Sequence, residues 1–284
     1  GRSASLDSPL PIGSATDHVN EAFARRHFRL RQTANEGRVL ISADRHRFSA
    51  LGTLASHLGI VVLLAGVVIG AQYGFRIDGF VVPEGDSHEV GRDTGLSLEL
   101  LSFSDEYWED GTPRDFRSDV AVRKGGTLMT TGTVRVNHPL ECDGVRFYQS
   151  FFGPAVRLTV TDPAGSVFFD GTLPLSGTTG QQVQRPSGLV EIAERDTVIA
   201  FIGSNVEGDD SSIGPEQMGV EVYAASTGIP IAWTIMDPET TYSAAGLVVT
   251  YDSAAQFAGF QVRRDPGTPL VWLGCAMLVA GIGA

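Results

Sequence analysis

The sequence predicts a mainly β chain: a large antiparallel β-sandwich-like or open-barrel extracytoplasmic domain, flanked by transmembrane α-helices. Three observations predict it. An uncharged apolar stretch runs from Phe48 to Phe75. Beyond it the apolar residues change to a period-two pattern, punctuated by turn formers, as strands require. Charge is also divided sharply between the two sides of the apolar stretch.

Taken in order, residues 1–23 are polar and rich in Ser, Pro and Gly, which predicts a disordered leader or loop. Residues 24–48 alternate, as in HFRLRQ and GRVLISADRHR, and predict a short hairpin in a basic cytoplasmic segment. The stretch 49–73 follows, within FSALGTLASHLGIVVLLAGVVIGAQYGF. A bilayer core of about 30 Å needs roughly 20 apolar residues in a helix, and this stretch meets that with residues to spare. It is too long and too far from the start to be a secretory signal peptide. A buried helix of a soluble protein is the competing reading.

Residues 74–266 carry the strand pattern. It is clearest in 97–103, 118–124, 132–138, 145–152, 155–162, 165–173, 197–203, 218–225, 246–252 and 258–264. Turn formers such as Asp110-Gly111, Gly125-Gly126, Asp143-Gly144 and Asp162-Pro163 lie between these runs. Short strands so punctuated predict an antiparallel sandwich or open barrel, with two successive lobes joined around 174–190 as one arrangement. Residues 204–215 read as an exposed loop. Residues 267–284 are apolar again and read as the start of a further membrane helix. The chain begins at Gly1 and stops inside that second run, so both ends read as cut.

Residues 1–47 hold eight Arg against five Asp and Glu, a net +3, with Arg25, Arg26, Arg29, Arg31, Arg38, Arg45 and Arg47 near the membrane end. Residues 76–265 hold thirteen Lys and Arg against twenty-eight Asp and Glu, a net −15. The positive-inside rule then places 1–47 in the cytoplasm and 74–266 outside it. An acidic ectodomain excludes nucleic acid as a partner. Cys142 and Cys275 fall in different compartments and neither sits in a CxxC pair, so each reads as a plain thiol.

Catalytic signatures such as a phosphate loop, GxSxG or HExxH are absent. The acidic run 104–115, SDEYWEDGTPRD, does not place its oxygens as calcium loops do and reads as a solvated hairpin rim. His57 differs, because it lies about eight residues into the membrane stretch, or about 12 Å at 1.5 Å per residue. Ionisable groups inside a span are costly and face a bundle interior, a cavity or a cofactor. Three roles are open to it: haem iron ligand, proton relay, or hydrogen-bonder to another helix. Small residues around it (Gly52, Ala55, Ser56, Gly59, Ala65, Gly66, Gly70) allow other helices to approach. In the ectodomain, Asn137, His138, Tyr148 and Gln149 form the most distinctive group, read either as a patch or as hairpin pins.

A succession of short motifs then stands out: His57-Leu58-Gly59, Asp110-Gly111-Thr112-Pro113, Arg117-Ser118, Val136-Asn137-His138-Pro139-Leu140 and Gly144-Val145-Arg146-Phe147-Tyr148-Gln149-Ser150. In this order, beside this topology, they resemble the ResB family of cytochrome c biogenesis proteins, over roughly residues 24–284. The resemblance implies a multi-pass protein of the bacterial cytoplasmic (inner) membrane with four helices, residues 49–73 being the third. It implies haem as a transiently bound cofactor shared with a partner, a multi-helix ResC/CcsA-like membrane protein with a tryptophan-rich motif. Together they would deliver haem across the membrane and attach it to CxxCH cysteines of apocytochrome c. This chain would be the accessory half of a two-subunit holocytochrome c synthase (haem lyase). His57 occupies the place of a haem axial ligand, and a second axial histidine would come from the partner. The alternatives are a membrane-anchored β-rich binding, assembly or sensor module without a haem role, and a transporter subunit using His57 as a relay.

Overall fold

Apolar residues at helical spacing, Ile12, Ala15, Val19 and Phe23, turn the polar leader into α1 (Ile12–Ala24). In the computed structural model, which describes residues 9–35, 38–44, 49–180, 184–204 and 212–283, this helix replaces the disordered leader expected there. Residues 1–8 of that leader, and 205–211 of the expected exposed loop, lie outside the described residues. Pro11 precedes the helix, where its fixed φ and missing N–H cost nothing. An i,i+4 pair from Arg25 to Glu21 at 2.7 Å lies at its other end. β1 (Arg29–Asn35) and β2 (Arg38–Asp44) pair antiparallel, from Arg29–Asp44 to Asn35–Arg38, as the alternation predicts.

The chain divides into two compact units, Gly1–Gln72 with Gly267–Ala284, and Tyr73–Pro266. The first also holds α2 (Ser49–Tyr73) and α3 (Thr268–Gly283). Among the described residues α2 alone is long and apolar enough to cross a membrane, and α3, at 16 residues, is shorter. The two helices run antiparallel and meet through glycine. Gly52, Gly59 and Gly66 are the buried residues of α2, each seven residues from the next. Gly267, Gly274 and Gly281 answer them with the same spacing. A Cβ on Gly59 would stand 2.9 Å from the Gly274 carbonyl oxygen, and one on Gly274 would stand 2.7 Å from that of Gly59. Only hydrogen fits at these crossings, so backbone meets backbone.

The second unit is built from β3 (Phe75–Pro83), β4 (Ser87–Glu89), β5 (Leu96–Tyr107), β6 (Pro113–Lys124), β7 (Thr127–Arg135) and β8 (Leu140–Cys142). These are followed by β9 (Val145–Thr161), β10 (Val167–Pro174), β11 (Gly177–Thr179), β12 (Arg185–Ile192) and β13 (Thr197–Ile202). The last strands are β14 (Met218–Ala224), β15 (Pro230–Met236), β16 (Thr240–Ala244) and β17 (Leu247–Arg264). All the ladders are antiparallel. The sheets are curled, and their orders are β10-β9-β17-β16 with β3 on β17 and β8 on β9, then β11-β12-β13-β14-β15, and β4-β5-β6-β7.

Two long strands hold the unit together. β9 and β17 pair from Val145–Arg264 to Thr161–Val248, and each serves both apolar cores. At one end Val145, Phe147, Phe260 and Val262 pack with Leu96, Leu98, Leu100, Val120 and Val122. At the other end Leu158, Val160, Val249 and Tyr251 pack with Ile199, Phe201, Val220 and Val222. Side chains such as Phe147 and Phe260 are fully buried, and each contributes roughly 1.5–3 kcal/mol by leaving water. The two lobes are therefore joined by this ribbon and not around 174–190, where the described strands β11 and β12 belong to the second lobe. Midway along the ribbon Phe257 lies over Gly153 and Phe151 over Gly259, each across a register pair. The glycines leave room for rings that a Cβ would displace, and aromatic cover of strand glycines stiffens the ladder where it bends.

Candidate functional site

His57 is placed by the glycine seam. At 3.6 residues per turn it lies about 160° round α2 from Gly59, on the face turned away from α3. Its neighbours on that face, Leu54, Ile60, Val61 and Leu64, are all exposed. A soluble helix would bury this apolar face, and here only glycine is buried. Such a surface suits an apolar surrounding.

The tautomer of His57 follows from one bond. Its Nδ1 lies 2.8 Å from the Thr53 carbonyl oxygen. A carbonyl only accepts, so Nδ1 carries the proton and donates. In the neutral form of the ring the lone pair is then on Nε2. Histidines that hold metals are usually fixed in this way, with the other ring N–H given to a carbonyl or carboxylate. The residues present therefore fit an iron-bound porphyrin: an oriented imidazole Nε2 on an open apolar face. Among the described residues no group of three or more His, Cys, Asp or Glu could hold a metal ion.

The four ectodomain residues are not brought to one point. Asn137 sits at φ +62° in a two-residue turn closed by Arg135 and His138, whose amides and carbonyls bond at 2.9 and 3.2 Å. Asparagine is tolerated at such a left-handed position. The His138 side chain is exposed at this turn. Tyr148 lies on β9, level with Gln261 of β17, and its hydroxyl is a partner of Arg146. Gln149, its neighbour, follows a register shift in the ladder and is tied to the opposite sheet. There its Oε1 accepts from the buried Ser118 hydroxyl at 2.5 Å, while its Nε2 donates to the Phe151 carbonyl at 3.0 Å.

Gln149 is thus a tie between β9 and β6. Replacing it with Leu strands the Ser118 hydroxyl, which should destabilise the domain by about 1–3 kcal/mol, whereas Gln149→Glu keeps the acceptor and most of the stability. Urea unfolding of the two variants tests this. Equal midpoints would remove the structural role.

The sequence also concealed a charge network on the β5–β7 face. Asp115 accepts from Arg117 at 2.6 Å and Arg135 at 2.7 Å, while Glu106 lies 3.5 Å from Arg117 and 3.6 Å from Arg114. The Arg114 guanidinium stands 4.8 Å over the Trp108 ring, beside the hairpin turn at Asp110–Thr112. The rim expected over 104–115 is this hairpin. Its members were visible in sequence, but their partners come from three strands and not from neighbouring positions.

The Arg117 hydrogen bond holds the Asp115 carboxyl below its ordinary range, and Asp143 is held low by Lys124. Asp162 is lowered by backbone bonding near Ser166. Groups with depressed folded values contribute stability that is complete above the unfolded carboxylate value near ~4 and is lost as pH falls through the lower folded values. Thermal melts of the protein should therefore be flat from about pH 7 to 5 and fall below about 4. Asp115→Asn should lower the neutral-pH melting point and blunt that acid drop. An unchanged acid slope would show that the network contributes nothing.

The ResB-like family model matches residues 3–284. The chain belongs to the ResB-like family. Among its relatives is the cytochrome c biogenesis protein CcsB of Synechococcus sp. (strain RCC307), 30% identical over 281 residues, covering 95% of this chain and 58% of that protein. CcsB of Prochlorococcus marinus (strain MIT 9303) is 28% identical over 250 residues, covering 86% and 54%. CcsB of Thermosynechococcus vestitus (strain NIES-2133 / IAM M-273 / BP-1) is 26% identical over 289 residues, covering 98% and 60%. This ResB-like chain thus spans a little over half the length of these relatives.

Proposed function

We propose that this ResB-like chain takes part in cytochrome c biogenesis, as one half of a membrane complex that delivers haem and attaches it to the CxxCH cysteines of apocytochrome c. The relatives' names support the general role. The observation that carries the haem assignment is His57, with Nδ1 fixed on the Thr53 carbonyl and Nε2 free on an exposed apolar face.

In this reading α2 spans a bacterial cytoplasmic membrane with the Arg-rich segment inside, and residues 74–266 lie outside. α3 is a further apolar helix of a multi-pass protein, packed on α2 through glycine. His57 would hold the haem iron through Nε2, and a second histidine would come from the multi-helix ResC/CcsA-like partner. Haem, when bound, supplies vinyl groups for thioether formation. The acidic ectodomain holds apocytochrome c near the exit, where proximity and a reduced thiol pair matter more than an acid–base residue. The chain is then the accessory half of a holocytochrome c synthase.

The test is an absorption spectrum of the detergent-purified protein, alone and with its partner. A Soret band that strengthens with the partner is the expected result. A haem-free complex that still matures cytochrome c would overturn the haem assignment and favour a binding module.

A further inference from the structure

A sheet with one face in the core should present polar residues on the other. The β4–β7 sheet does so, with Glu99, Ser102, Asp119 and Arg123 on its outer side bonded to one another or to Thr133. The β11–β15 sheet departs from this rule at β15. There Ala232, Thr234 and Met236 turn inward, while the larger Ile231 (51% exposed), Trp233 (51%) and Ile235 (39%) turn outward.

The pattern continues across the sheet. Register places Trp233 beside Glu221, Glu221 beside Ala200 and Ala200 beside Leu189, itself 66% exposed. Trp233 reaches over Gly219, where a Cβ would come within 2.7 Å of its ring. Among the described residues β15 pairs with β14 alone, so its other edge is open. Natural edges are guarded by Lys, charge or bulges; this one carries no charge along Pro230–Met236 and has Pro230 and a register shift at Ile231 confined to its start.

An open edge beside a bare apolar face is the arrangement that receives an added strand. The charge around it selects the occupant. The described residues among 184–240 include seven Asp and Glu against two Arg. Arg185 is buried and bonded to Gly203 and Ser212, and Arg195 is paired with Asp162. A second copy would bring another acidic surface against this one, and anionic lipid would be repelled in the same way. We propose that β15 binds an extended segment of a cationic polypeptide as a sixth strand. Its apolar side chains rest on Ile231, Trp233 and Ile235, and its Lys or Arg side chains meet the acidic rim at Asp237 and Glu239. This stands whether or not the chain handles haem.

The probe is a short fluorescein-labelled peptide alternating Lys and Val, titrated into the detergent-purified full chain and followed by anisotropy. Saturable binding is expected. It should weaken by at least about tenfold in Trp233→Thr, the scale of a tryptophan hot spot. It should also weaken when alternate peptide nitrogens are methylated, since strand addition needs those N–H groups. Leu128→Thr, an exposed change on β7, should leave it intact. Thermal melts confirm that each variant is folded. Absent binding, binding indifferent to Trp233→Thr, or binding indifferent to N-methylation would overturn the proposal. Self-association or liposome binding lost in Trp233→Thr would overturn it as well, assigning the face to a second copy or to lipid.

Discussion

His57→Ala, purified with the multi-helix partner, is expected to lose the haem absorption of the parent complex, with the Soret band reduced by at least about tenfold. Loss of groups that merely orient a metal ligand already costs 10–100-fold in affinity, and in the proposed haem assignment the ligand itself is removed. The variant that separates the readings is His57→Gln. Its amide can still donate to the Thr53 carbonyl or to another helix, so a hydrogen-bonding role predicts wild-type behaviour. An amide is a poor iron ligand, so haem ligation predicts that His57→Gln fails as His57→Ala does. A proton relay predicts unchanged haem in both variants with loss of a pH-dependent activity. Full haem content in His57→Ala would remove the residue from the haem path, whatever happens to maturation. The placement strengthens the expectation, since the ring sits opposite the α3 seam and is not occupied in holding the two helices together.

How far the sequence can be read is set by the range of the interactions involved. The strand-rich class and the membrane-length helix follow from local periodicity, and both were legible. Expected runs at 145–152 and 155–162 form one strand, β9, and those at 246–252 and 258–264 form one strand, β17. Gly153-Pro154 and the polar stretch near Ser253 read as breaks, but cross-strand pairing and ring-over-glycine packing carry the backbone through them. β12 and β15 went unread because they begin at Arg185-Pro186 and Pro230, where proline demotes a strand pattern. His57 stood out because a lone ionisable residue in an apolar stretch is a local anomaly. Asn137, His138, Tyr148 and Gln149 stood out together in the sequence, but the fold does not gather them at one point. Which side chain points inward depends on a register shift in β9, and that cannot be read from spacing.

The glycine seam shows the same limit from the other side, and it yields the second large effect. Gly59→Leu or Gly274→Leu should each destabilise the α2–α3 pair by about 1–3 kcal/mol or more, because the new side chain meets backbone and no flexible side chain gives way. Thermal unfolding followed at 222 nm in micelles reads the helices selectively, since the other unit is built of strands. Gly283→Leu makes the same change on the same helix with nothing within 4 Å and should leave the transition in place. The decisive measurement is the double variant. Once one leucine has forced the helices apart at this crossing, the second meets no opposing backbone, so the two effects should fall well short of additive. Additive losses would mean that each glycine acts through its own helix, and that the seven-residue spacing on α2 and α3 is not a shared interface. The spacing itself was available in sequence, as Gly52, Gly59, Gly66 and Gly267, Gly274, Gly281. That Gly52, Gly59 and Gly66 allow another helix to approach was legible; that Gly267, Gly274 and Gly281 supply the opposing series was not, because a small residue is equally compatible with a close crossing and with an indifferent lipid-facing position. Two heptad series more than 200 residues apart in the chain become one feature only when the helices are set side by side.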